Sequence, residues 1–107
     1  MPLYLSRWRY EPEAIKAMVA NPQDRSKATA TLAESLGAKL IGYWFAFGEF
    51  DGIDLVEAPD NTTLAAIAMA AAGGGAISNL ETTVLLDMDE AQEAMRKAAQ
   101  ATYRPPS

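Results

Sequence analysis

The sequence predicts an α+β domain with the element order β-α-β-β-α-β and one more helix at its end. Short segments rich in branched and aromatic residues alternate with longer alanine-rich segments, which are typical of strands and helices respectively. Proline, glycine and aspartate separate these segments where turns and helix ends are expected. The 107 residues are enough for a single domain with one core.

The first half of the chain is predicted to hold a strand, an interrupted helix and a second strand. Residues 3–10 alternate between two faces, with Leu3, Leu5, Arg7 and Arg9 on one and Tyr4, Ser6, Trp8 and Tyr10 on the other. A proline near the start of each piece favours helices over 12–20 and 22–36. Gly37 is expected to end the second piece in a left-handed conformation. The aromatic segment 39–47 is typical of a strand.

The middle of the chain is predicted to form a hairpin. Gly48 and Gly52 lie in the connecting segment, where tolerance of positive φ is the expected role of both. Residues 53–58 then resume an extended pattern, which gives the third strand.

The last part is predicted to contain a helix over 62–72, a fourth strand within 77–86 and a terminal helix. Asp87 followed by Glu90 resembles a capping box that opens the terminal helix, which runs to about residue 101. Residues 103–107 form a tail.

This order is that of the ferredoxin-like fold, an antiparallel sheet with both main helices on one face. The second strand is nevertheless apolar on both sides, with Leu40, Trp44 and Ala46 expected on one and Ile41, Tyr43, Phe45 and Phe47 on the other. An uncovered aromatic face favours association. Homodimerisation through the sheet is therefore expected, with a second copy of the chain as the partner.

Charge argues against nucleic acid as a partner. The net charge is −5, and the nine basic residues are scattered along the chain, whereas nucleic-acid binders gain affinity from clustered Lys and Arg. The longest apolar run, 64–72, is too short to cross a membrane. The first residues lack the pattern of a signal peptide, so a cytoplasmic location is expected.

The absence of cysteine and histidine limits the reactions and binding sites that this chain can support. It excludes disulfides, thiolate nucleophiles, zinc sites built on Cys or His, and every triad that uses His. The carboxylates are not spaced as metal ligands, so neither a metal nor a cofactor is expected. The groups that remain available for binding or catalysis are carboxylates, Arg, Lys, Tyr, Trp and hydroxyl groups.

The candidate site lies where the strand ends meet at one edge of the sheet. Asp54 is the central residue because it stands inside a strand between two apolar neighbours. It is expected to pair with Arg7 or Arg9 at the rim of a partly buried pocket bordered by a tryptophan. A structural ion pair or a solvent-facing charge would explain the same pattern. The candidate ligand-binding residues are Arg7, Arg9, Trp8, Trp44, Asp51, Asp54 and Glu81.

Four segments resemble the bacterial GYD-domain family: MPLYL at 1–5, YWFAFGEFDG at 43–52, VEAPD at 56–60 and ETT at 81–83. The likeness covers nearly the whole chain, with Phe50 in place of the tyrosine that gives the family part of its name. The resemblance implies a dimeric α/β barrel in which two ferredoxin-like sheets face each other.

Three functions fit these expectations. The favoured one is a homo-oligomeric protein that binds a small apolar or aromatic molecule. The alternative is a cofactor-independent enzyme, similar to a monooxygenase or an isomerase, with a carboxylate or tyrosine base in an aromatic pocket. The third is a purely structural oligomerisation module. A cavity in the fold distinguishes the first two from the third.

Overall fold

The computed structural model describes all 107 residues and contains one four-stranded antiparallel sheet and four helices. The strands are β1 (Leu3–Tyr10), β2 (Lys39–Phe45), β3 (Gly52–Glu57) and β4 (Ile77–Leu85), and the helices are α1 (Pro12–Ala20), α2 (Ser26–Ser35), α3 (Asn61–Gly73) and α4 (Met88–Gln100). The strands lie in the order β2-β3-β1-β4. The predicted ferredoxin-like α+β fold is confirmed. None of the helices combines the length and hydropathy needed to span a membrane.

The core lies between the sheet and the helices α2 and α3. It consists of Tyr4, Ala33, Ala38, Val56, Ala58, Leu64 and Ile67, with Leu32 and Leu40 packed against it. The Tyr4 hydroxyl donates a 2.6 Å hydrogen bond to Oδ1 of Asn61, which fixes the start of α3 to β1. The burial of β1 alternates as its sequence predicts, because Tyr4, Ser6, Trp8 and Tyr10 are all buried.

The helix predicted from residue 22 begins later, at Ser26. The cause is Asp24, whose Oδ1 accepts hydrogen bonds from the backbone N–H and the hydroxyl of Ser26 at 2.9 and 2.6 Å. These contacts form a turn from Asp24 to Ser26, and residues 22–24 lie outside the helix. At the other end, Gly37 has a φ of 77°, and the N–H of Ala38 donates to the carbonyl of Ala33. The predicted left-handed cap is therefore present.

A bulge in β2 changes which of its residues share a face. The register with β3 shifts between Leu40 and Gly42. As a result Leu40, opposite Val56, lies on the same helix-covered face as Tyr43, opposite Asp54. The predicted grouping of Leu40 with Trp44 is wrong for this reason, because strict alternation assumes a strand without a bulge.

The β2–β3 connection differs from the predicted turn. β2 ends at Phe45 instead of residue 47, and Ala46 donates a 2.7 Å backbone hydrogen bond to the carbonyl of Asp51. Gly52 is the first residue of β3 and does not adopt a positive φ. A Cβ atom at this position would collide with the indole ring of Trp8, so Gly52 is needed for close approach.

A second bulge lies in β4. The pairing of β4 with β1 shifts between Arg7 and Arg9, and Asn79 in the intervening part of β4 has a φ of 51°. Asparagine tolerates this left-handed conformation better than most residues. The bulged segment includes Leu80, whose side chain lines the cavity described below.

The terminal helix α4 is formed as predicted but has no buried residue. Asp87 Oδ1 accepts from the N–H of Glu90 at 2.8 Å, and the Glu90 carboxylate accepts from the N–H of Asp87 at 3.2 Å, which completes the capping box. The chain has a radius of gyration of 17.2 Å, against about 13 Å for a compact domain of this length. α4 accordingly extends away from the body without an extensive packing partner in its own chain.

Candidate functional site

A cavity of about 320 Å³ lies between the sheet and the helices α2 and α3. All four strands contribute to its floor, and the two helices supply mostly alanine, leucine and isoleucine side chains. Small residues on α3 leave this space open because alanine does not reach the sheet. The lining residues are Ser6, Trp8, Tyr10, Arg25, Ala28, Thr29, Leu32, Tyr43, Asp54, Val56, Leu64, Ile67, Ala68, Ala70, Ala71, Gly74, Ala76, Ile77 and Leu80.

Asp54 is the buried charged residue of this cavity. It lies on the helix-covered face of β3, directly opposite Ser6 of β1, and is 6% exposed. Its Oδ1 atom has no hydrogen-bond partner. Burial raises the pKa of the Asp54 carboxyl to about 7, while the backbone N–H of Ser6 acts in the opposite direction. Both protonation states are therefore populated near neutral pH.

Trp8, another lining residue, also contains a buried polar atom without a partner. The side chain is 5% exposed, and its Nε1 has no acceptor. Its ring packs at an edge-on angle of 87° against Tyr10 and lies 5.4 Å from the ring of Tyr43, measured between centroids. A buried polar atom without a partner costs about 1–3 kcal/mol. Trp8 Nε1 lies against Gly52, and neither it nor Asp54 Oδ1 is open to the cavity.

A pair of tyrosines forms one wall of the cavity. The hydroxyls of Tyr10 and Tyr43 lie 2.6 Å apart, and both residues also border a smaller cavity of about 170 Å³ beside α1. Burial, followed by the contact with Tyr10, raises the pKa of Tyr43 above its ordinary value. Tyr43 is therefore a poor candidate for a base. Arg25 lines both cavities and is exposed.

The expected pairing of Asp54 with Arg7 or Arg9 is wrong. Both arginines lie on the opposite face of the sheet from Asp54, because they alternate with the buried residues of β1. Arg7 forms a 3.2 Å ion pair with Glu81, and its guanidinium lies 4.3 Å from the ring centroid of Phe50. Arg9 donates to the backbone carbonyls of residues 48 and 49 at 3.3 and 2.7 Å.

The remaining candidates also lie outside the cavity. Asp51 fixes the hairpin loop to β1, because its Oδ2 accepts from the N–H of Tyr10 at 2.9 Å and its N–H donates to the carbonyl of Trp8 at 2.8 Å. Trp44 is 53% exposed and lies over Gly42 on the face without helices. Trp8 and Asp54 are thus the predicted residues that the cavity brings together, and Arg7, Arg9, Trp44, Asp51 and Glu81 do not line it.

Ser6, Tyr10 and Arg25 line the cavity but are not among the residues predicted from the sequence. The alternation of β1 places Ser6 and Tyr10 on the same face as Trp8, so the sequence pattern could have identified these two residues. Tyr43 was expected among the aromatic residues that would line a cavity, and it does line this one. The hydroxyl of Ser6, the strand partner of Asp54, lies 2.9 Å from the hydroxyl of Thr82, which adds a polar group to an otherwise apolar surface.

The arrangement suits a small molecule with an apolar body and one polar group. Most of the lining residues are hydrophobic and suit the apolar body, and the carboxyl group of Asp54 offers a hydrogen bond to the polar group. No group of three or more acidic side chains is placed to hold a metal ion. The chemistry that the cavity itself can supply is hydrogen bonding and proton transfer at Asp54.

Comparison with known proteins identifies a family and a structurally similar protein. The family model of the GYD domain matches residues 4–95. The crystal structure of TTHA0845 from Thermus thermophilus superimposes with a TM-score of 0.53 at 15% sequence identity, covering 80% of this chain and 94% of that chain. At this identity the similarity concerns the fold. No curated protein matches the chain significantly.

Proposed function

The chain belongs to the GYD-domain family, and we propose that this member is a homodimeric protein that binds a small apolar or aromatic molecule in the cavity between its sheet and its helices. The observation that supports binding is the cavity of about 320 Å³, whose lining is mostly hydrophobic and includes the buried Asp54. A purely structural module has no use for such a space, since filling it would stabilise the fold. The proposed location is the cytoplasm, because small secreted domains are commonly cross-linked by disulfides and this chain has no cysteine.

The binding proposal is tested with indane, a small bicyclic hydrocarbon, by saturation-transfer NMR. Saturation transfer from the wild-type protein to indane is expected. Ala68 lines the cavity from α3, so Ala68→Phe should fill the space and abolish the signal. Ala66 is exposed on the same helix and does not line the cavity, so Ala66→Phe is the matched control and should retain it. Equal signals from both variants would contradict binding in this cavity.

The dimer part of the proposal is supported by the apolar residues that the single chain leaves uncovered. Only 13 of 107 residues are buried, and the exposed large hydrophobic residues include Trp44, Phe47, Met88 and Met95. On the sheet face opposite the helices, Leu5 lies directly across from Leu55. A second copy that covers this face would bury both leucines.

Sedimentation velocity tests the dimer at micromolar concentration. A mass of twice 11.5 kDa is expected for the wild type. Leu55→Glu places a charge in the middle of the open face and should give monomers. Thr62→Glu adds the same charge at an exposed position of α3 and should leave the dimer intact. A wild-type mass of 11.5 kDa at every concentration would exclude the dimer.

A cofactor-independent enzyme is the second candidate, and Asp54 is the observation in its favour. A carboxyl with a pKa of about 7 in an apolar cavity suits proton transfer to and from carbon. The Asp54 carboxylate would remove a proton next to a ketone to give an enolate, and the resulting carboxylic acid would return one. In heavy water this cycle exchanges the C2 protons of 1-indanone for deuterium, which NMR detects. Exchange that is no faster with the wild type than with Asp54→Asn would exclude this function.

A further inference from the structure

Arg25 is the only basic residue that lines either of the two cavities. It is exposed, and it takes part in neither of the two ion pairs of the chain. Its guanidinium donates a long hydrogen bond of 3.4 Å to Oε1 of Gln23. The neighbouring Asp24 directs its Oδ1 to the backbone N–H and the hydroxyl of Ser26 instead. The positive charge of Arg25 is therefore available to a ligand.

Arg25 lies next to the tyrosine pair that the two cavities share. Tyr10, Tyr43 and Arg25 line both the cavity of about 320 Å³ and the smaller one of about 170 Å³, so these side chains lie where the two cavities meet. Burial and the contact with Tyr10 raise the pKa of Tyr43. The hydroxyl of Thr29 and the positive charge of Arg25 act in the opposite direction, because both lie near this phenol. Thr29 is one helical turn after Arg25, on the same side of α2.

The tyrosine pair keeps one hydrogen-bond donor free. The hydroxyls of Tyr10 and Tyr43 lie 2.6 Å apart, and the bond between them uses one of their two O–H groups. The other O–H can donate to an acceptor beside Arg25. A guanidinium together with a neutral hydroxyl donor suits a carboxylate, which only accepts hydrogen bonds.

We propose that the ligand is a small aromatic carboxylic acid, whose ring occupies the cavity of about 320 Å³ and whose carboxylate binds Arg25 beside the hydroxyls of Tyr10 and Tyr43. Trp8 and Tyr43, whose ring centroids are 5.4 Å apart, give the ring an aromatic wall. The carboxylate belongs at Arg25, because Asp54 on the floor is itself an acid and would repel it once ionised. This inference rests on the proposed function and specifies the class of ligand.

The test compares indane-2-carboxylate with indane-2-carboxamide, which share a skeleton and differ in charge. Dissociation constants are measured by NMR titration at about pH 6, where the first probe is ionised and Asp54 is mostly protonated. The wild-type protein is expected to bind the carboxylate at least about fivefold more tightly, because hydrogen bonds between ions are stronger than neutral ones. Added sodium chloride should weaken binding of the carboxylate and leave that of the carboxamide unchanged.

Two variants on α2 form a matched pair. Arg25→Gln removes the positive charge and should make the two dissociation constants nearly equal. Lys27→Gln removes the same charge from an exposed position that lines neither cavity, and it should keep the preference for the carboxylate. An equal loss of preference in the two variants would overturn the site at Arg25, because it would show an effect of net charge alone.

The proposed function and the carboxylate site can fail separately. Equal affinities of the wild-type protein for the two probes would overturn the carboxylate site, while saturation transfer to indane would still support the cavity as a ligand site. If neither the two probes nor indane bind, both the carboxylate site and the proposed function are overturned.

Discussion

Asp54 is a buried acid without a counter-ion, and this makes the folded state prefer its neutral form. The pKa of its carboxyl is about 7 in the folded protein, against 3.8 when exposed. Between these values the folded state binds more protons than the unfolded state, so the free energy of unfolding falls as the pH rises. The contribution of Asp54 is complete below about pH 4 and is lost by about pH 7.

Asp54→Asn is therefore expected to stabilise the protein at alkaline pH. Asparagine resembles the protonated acid and has no charge to bury, so the difference between variant and wild type should be small at about pH 4 and should grow towards about pH 8. The upper limit of the gain is on the order of 4 kcal/mol, from a shift of about three pKa units. Urea unfolding of both proteins across this range measures it. A difference that does not change with pH would refute the assignment.

Gly52 and Gly42 provide a matched pair that tests the tryptophan packing. A Cβ atom at either position would collide with an indole, from Trp8 at Gly52 and from Trp44 at Gly42. Trp8 is buried and cannot move, whereas Trp44 is 53% exposed and can rotate away. Gly52→Ala is therefore expected to lower the free energy of unfolding by about 1–3 kcal/mol, and Gly42→Ala by much less. Similar losses in the two variants would show that Trp8 is not held as described.

The alternation of β1 groups Trp8 with Tyr4, Ser6 and Tyr10, and the structure buries that face. The sequence leaves the burial of Asp54 open, because its apolar neighbours in the strand project from the opposite face. The partner of Asp54 depends on the register between β1 and β3, which pairs it with Ser6 instead of an arginine. Register is set by the folded sheet, and a change of one residue moves a side chain to the other face.

Among the elements, the two bulges are the features that sequence patterns did not reveal. The limits of β1 and the capping box of α4 follow from local signals, and the structure has both. The bulges in β2 and β4 arise from pairing with neighbouring strands, which no window of sequence contains. They matter because they orient Tyr43 and Leu80 towards the cavity.

At Asn79 in the β4 bulge, substitution by alanine should destabilise the protein more than substitution by glycine. Its φ of 51° lies in the left-handed region, where alanine is strained and glycine is not. Asn79→Ala is expected to cost about 1 kcal/mol of unfolding free energy, while Asn79→Gly should be nearly neutral. Thermal and urea unfolding of the two variants measure this order. A greater loss for glycine than for alanine would mean that β4 does not hold this bulge.

On the scale of the whole molecule, one face of the sheet is covered by helices and the other face is open. The helix-covered side of the sheet contains the core and the cavity. The other side carries Leu5, Ile53 and Leu55 with no helix over them, and the overall dimensions are 57 × 35 × 22 Å. The proposed dimer would cover the open side and leave each cavity within its own chain.

The unpacked state of α4 links the helix–coil equilibrium to protein concentration. A helix of 13 residues is only marginally stable in water by itself, and its capping box adds about 1 kcal/mol. Contacts with a second copy would supply the remaining stabilisation, so dilution should melt α4 while the rest of the fold persists. Far-ultraviolet circular dichroism should therefore lose helical signal on dilution, and Asp87→Ala should move this loss to higher concentration. A signal per residue that stays constant over the whole dilution series would mean that α4 is stable without a partner. If the signal does fall, the helix content of the protein is a direct measure of how much of it is dimeric.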